Sequence, residues 1–122
     1  VELVSANALV LSIRKSNDKL DQVNENLPAL MARQDEEVKA LKELKASGSI
    51  DTKIYQMRLT AIRENRAKLA QALLLSSQQA STARDNLQEA VSQGQSGLEW
   101  HINAIEQMER QTLSARSMIS LL

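Results

Sequence analysis

The amino-acid sequence predicts an all-α protein: a long antiparallel coiled-coil hairpin with a third, shorter helix packed on its base as a three-helix bundle. Three observations predict it. Apolar residues recur at alternating steps of three and four along nearly the whole chain, the spacing that places them on one stripe of a helix. Helix breakers are almost absent, with Pro28 the single proline and Gly48, Gly94 and Gly97 the only glycines. Those glycines fall in two short polar stretches, at residues 47–50 and 94–97, that divide the pattern into three ladders.

The first ladder runs Ala6, Leu9, Ile13, Ser16, Leu20, Val23, Leu27 and Leu30, within a helix expected over about residues 2–46. Pro28 lies inside it. Because the ladder stays in phase on either side, the expectation is one continuous helix with a local kink rather than two helices. Gly48 is expected to stop it in the left-handed conformation. The second helix, about 51–93, opens on Asp51 as N-cap, with Ile50 and Tyr55 in the two staple positions. Its ladder is Tyr55, Leu59, Ile62, Arg66, Leu69, Leu73, Ser76, Ala80, Ala83, Leu87 and Ala90. The third helix, about 97–122, is expected to start at a capping box, Ser96-Gly97-Leu98-Glu99. It carries Leu98, His101, Ile105, Met108, Thr112, Ala115, Ile119 and Leu122.

At about 1.5 Å per residue the first two helices are each roughly 65 Å long and the third roughly 40 Å. Folding back at residues 47–50 brings Leu44 near Ile54, Leu41 near Met57 and Leu30 near Leu69. The third helix is expected to cover residues 1–25 and 70–93, giving a three-helix base and a two-helix tip within a single domain, residues 1–122. The tip is rich in charge, and the same register places Asp35 and Glu36 near Arg63, and Arg33 near Glu64. Arg33, Glu36, Arg63 and Glu64 are therefore the expected register pairs, selecting alignment more than adding stability. Arg66 and Gln34 sit close to the seam, where polar residues select register and oligomeric state.

Little in the chain suggests chemistry. Lysine and arginine total 15 and aspartate and glutamate 15, so the chain has no basic excess with which to track phosphates. Cysteine is absent, and His101 is the only histidine, so no zinc set can be assembled. Asp35, Glu36 and Glu37 are consecutive and point around a helix rather than at one ion. Ser76 and Ser77 lack a nucleophile-elbow setting, and Gly94-x-x-Gly97 lacks the lysine of a phosphate loop. No catalytic residue, metal ligand or cofactor is expected. No apolar run approaches the 18–20 or so residues needed to span a bilayer. The start at Val1 leads us to expect a processed form or a fragment, and the compartment is left open.

Expected instead is a structural, assembly or adaptor protein acting through self-association and helix-mediated contacts, with an Ala-, Gln- and Ser-rich composition of bacterial or phage style. Val4, Leu11, Leu74, Leu75, Ile102 and Leu121 flank the ladders and widen the apolar stripes, so they are the candidate interface, with a homodimer favoured. A small regulatory protein that captures a component of nucleic-acid or secretion machinery through a helical face is the alternative. A translocator or toxin fragment that meets membranes through its apolar ends is a second. Direct binding of nucleic acid is not expected, since acidic residues face the basic ones across the tip.

Overall fold

The computed structural model describes the backbone of residues 2–122 and the side chains of Leu11, Lys15, Asp18 and residues 21–122. The protein is all-helical, with three helices: α1 (Glu2–Ala46), α2 (Thr52–Ser92) and α3 (Glu99–Ser117). No strand occurs among the described residues.

α1 continues unbroken through Pro28. Pro28 is exposed, and having no N–H it cannot donate the intrahelical bond to the carbonyl four residues before it. The helix ends in a Schellman turn. Gly48 takes φ +75°, its N–H reaches the Lys45 carbonyl, and the Ser49 N–H reaches back to Leu44 at 2.9 Å. Asp51 then caps α2, its Oδ1 accepting from the Ile54 N–H at 2.8 Å. The end of α2 repeats the first ending: Gly94 at φ +98°, with Gly94 N–H to Val91 and Gln95 N–H to Ala90.

The start of α3 differs from the expected capping box. Its N-cap is Leu98, with no side-chain cap bond, and Ser96 lies exposed two residues before it. Gly97, at φ +81°, turns the chain there, and Leu98 is drawn into the core, its carbonyl accepting the Ile102 N–H at 3.0 Å. Anchoring an apolar side chain takes precedence over a serine cap worth about 1 kcal/mol. α3 also ends earlier than expected, at Ser117. Residues 118–122 leave the helix after two tight turns, Met118 N–H to Ala115 and Ile119 N–H to Arg116.

α2 and α3 bury most of their ladders, and of the α1 ladder side chains that are described, Leu27 is buried while Val23 and Leu30 are half-buried. At the tip, Val38 and Leu41 of α1 meet Tyr55, Leu59 and Ile62 of α2, with Ile50 packed against them. Lys45 lies over the Tyr55 ring, its Nζ 4.5 Å from the centroid. In the base, Leu27 and Met31 join Leu73, Ala80, Ala83 and Leu87 of α2 and Leu98, Ile105, Met108, Ala115 and Ile119. α3 lies chiefly against α2, where the small residues Ser77, Ala80 and Ala83 allow close approach. The buried serine is Ser77 rather than the ladder residue Ser76, and the buried hydroxyls satisfy themselves: Thr112 Oγ1 donates to the Met108 carbonyl and Ser77 Oγ to that of Leu74, both at 2.8 Å.

Two expectations about the packing are corrected. The stripe of α1 beyond Leu27 runs through Met31, Gln34, Val38 and Leu41, leaving Leu30 half-buried beside it. The third segment also reaches further than residue 70 of α2. Ile119 belongs to the same cluster as Leu27 and Met31, and the Ser120 carbonyl contacts Arg66. The chain makes these contacts with the non-helical segment that follows Ser117.

Candidate functional site at the Arg66 junction

The three-helix base gives way to the two-helix tip at Arg66. A heptad step in an apolar ladder puts this residue in the seam, and its side chain is 0% exposed. An arginine removed from water must have its N–H groups paired. Nε donates to Gln34 Oε1 at 2.7 Å. Nη2 donates to Asp35 Oδ1 at 2.7 Å and to the Met31 carbonyl at 3.2 Å. Nη1 donates to the Ser120 carbonyl at 2.8 Å. Gln34 is itself buried and held in place, its Nε2 donating to Asn65 Oδ1 at 2.9 Å. About one turn of α1 and the segment after α3 thus converge on the guanidinium that α2 contributes.

Asp35, 63% exposed, supplies the opposite charge from the rim of this junction. It pairs with Arg66 rather than with Arg63. Arg33, Glu36, Arg63 and Glu64 are all exposed, and none of the ion pairs in the described part of the protein joins them. The physical reason is placement: Arg66 lies in the seam, three residues beyond Arg63, and water competes too well for the outer charges to hold a fixed partner. Among the described residues a second pair between helices is Arg84–Glu109, at 2.6 Å, joining α2 to α3 with Ser81 at its side.

His101 is half-buried at the start of α3, its ring edge-on to Trp100 with centroids 5.1 Å apart. Its Nδ1 is buried without a hydrogen-bond partner. Among the described residues no group of three His, Asp or Glu side chains stands close enough to hold a metal ion. No helix there is long and apolar enough to cross a membrane.

The residues expected at an interface divide. Ile102 and Leu74 are half-buried, Ile102 against the base core. Leu11, Leu75 and Leu121 are exposed, at 59%, 49% and 69%. Val4 lies outside the residues whose side chains are described. Leu121 does not stand alone. Leu113, Met118 and Leu122 are exposed near it in the chain, and Leu113 and Leu121 line a groove of about 240 Å³ with Ala70, Arg116, Ser117 and Ile119. A second groove, of about 430 Å³, opens between α1 and α2 beside Val23, Leu27, Leu30 and Leu69.

The Arg66 network went unread in the sequence in two respects. Asp35 was placed one turn away, and a backbone carbonyl in a non-helical segment leaves no trace in a pattern of side chains. Fold and junction together define a small all-α protein built on helix packing. Comparison with family models, with curated proteins and with solved structures finds no match to this chain.

Proposed function

We propose that this chain is a non-enzymatic coiled-coil assembly or adaptor protein that works by self-association, its α1–α2 hairpin tip projecting from a base where two copies meet. The observation that carries this reading is the exposed apolar group at the end of α3: Leu113, Met118, Leu121 and Leu122 are each more than a third exposed. Water-facing leucines scattered singly are ordinary, but four large apolar side chains within ten residues, beside a groove of mixed polar and apolar lining, favour cover by another surface. The heptad ladders and the polar Arg66–Gln34 pair within the seam support the coiled-coil form, since such pairs restrict alignment and oligomeric state.

Sedimentation at micromolar concentration tests it. The expected result is a dimer that becomes a monomer in a Leu113→Glu, Leu121→Glu variant of unchanged helicity. A parent chain that remains monomeric would refute the reading. Capture of a partner helix is the second reading, favoured by the open groove at Val23, Leu30 and Leu69.

A further inference from the structure

We propose that Arg66 makes closure of the α1–α2 tip and docking of the C-terminal segment one cooperative event, with residues 118–122 acting as a strap across the junction. The strap carries Met118, Leu121 and Leu122 of the proposed dimer contact, but the Arg66 bonds that couple it to the tip lie within one chain and need no second copy.

The acceptors of Arg66 come from two directions. Gln34, Asp35 and the Met31 carbonyl belong to α1 and take Nε and Nη2. The Ser120 carbonyl belongs to the strap and takes Nη1. The guanidinium cannot lose its proton, so it stays charged in either arrangement. If the strap leaves while the tip stays closed, a buried Nη1 loses its acceptor. If the tip opens while the strap stays, Nε and Nη2 lose theirs. Each half-open state therefore strands part of a buried cation, whereas the closed state pairs it and the fully open state returns it to water. Both half-open states are disfavoured, and that is cooperativity.

The strap, residues 118–122, lies outside α3, and beyond its two turn bonds back to α3 it is anchored by the buried Ile119 side chain and the Ser120 carbonyl bond. Leu121 and Leu122 remain exposed, and the groove walled by Ala70, Leu113 and Ile119 leaves open space beside it. Coupling of this kind is reciprocal: whatever loosens one end must loosen the other by the same factor.

Hydrogen exchange on the full chain, read by NMR, tests the coupling from both ends. Asp35→Ala removes an exposed carboxylate and places a good helix former, so folding is retained. It is expected to raise the exchange rate of the Ile119 amide about fivefold or more, the lower range of measured coupling, while the Ile105 amide keeps its rate. Ile119→Ala is expected to raise exchange of the Arg66 Nε–H. An Ile119 amide unmoved by Asp35→Ala, a rise shared equally by Ile105, or an Arg66 Nε–H unmoved by Ile119→Ala would each overturn the proposal.

Discussion

A buried arginine is an expensive way to fill a seam position, and Arg66 is tolerable only because α1 and the segment after α3 supply acceptors for it. Removing an acceptor and removing the cation should therefore have opposite consequences. Gln34→Leu leaves Nε–H facing an apolar side chain and is expected to destabilise by about 1.5–3 kcal/mol, the usual worth of a hydrogen bond to a charged group. Adding Arg66→Met to that variant removes the stranded charge, and stability is expected to return to near the parent value or above it. Urea unfolding midpoints check both. A double variant less stable than Gln34→Leu alone would show that the network contributes more than pairing. Thr112 and Ser77 make the contrast clear, since each is buried but satisfied by its own helix and needs no neighbour.

At the scale of helices, the ends are set by different agents. Gly48 and Gly94 end α1 and α2 by the same left-handed turn, and Asp51 starts α2 through a side-chain bond. α3 starts where Leu98 enters the core, so Ser96 caps nothing. Asp51→Ala is expected to lower stability by about 0.5–2 kcal/mol, whereas Ser96→Ala should stay within about 0.5 kcal/mol of the parent, as exposed substitutions do. Thermal unfolding of the two variants side by side decides it, and equal losses would restore Ser96 as a cap.

The whole molecule is unevenly held. Around Leu73, Ala83 and Ile105 three segments share one core, while around Leu41 and Tyr55 only α1 and α2 meet. Regions with fewer buried contacts open at lower free energy. Amides of residues 38–46 and 52–62 are therefore expected to exchange faster than those of 80–90 and 102–112. Equal protection in tip and base would mean that the protein opens only as a unit.

Much of this architecture was legible in local pattern. Tyr55, Leu59, Ile62, Arg66 and Leu73 in α2, and Ile105, Met108, Thr112 and Ala115 in α3, are ladder positions and are buried. Heptad spacing puts such residues on one stripe whatever the partner, and a glycine after an apolar run stops a helix by backbone sterics alone. The sequence by itself therefore determined three helices and the turns at Gly48 and Gly94, but not where α3 starts and ends. Only the tertiary structure decided which neighbour each polar group met. Asp35 could serve Arg63 or Arg66 from the same helix, and seam geometry chose Arg66 because burial makes that guanidinium's need for acceptors the stronger. The Ser120 carbonyl carries no sequence signal, since every residue has one. Its role arose only when packing brought the strap to a buried cation.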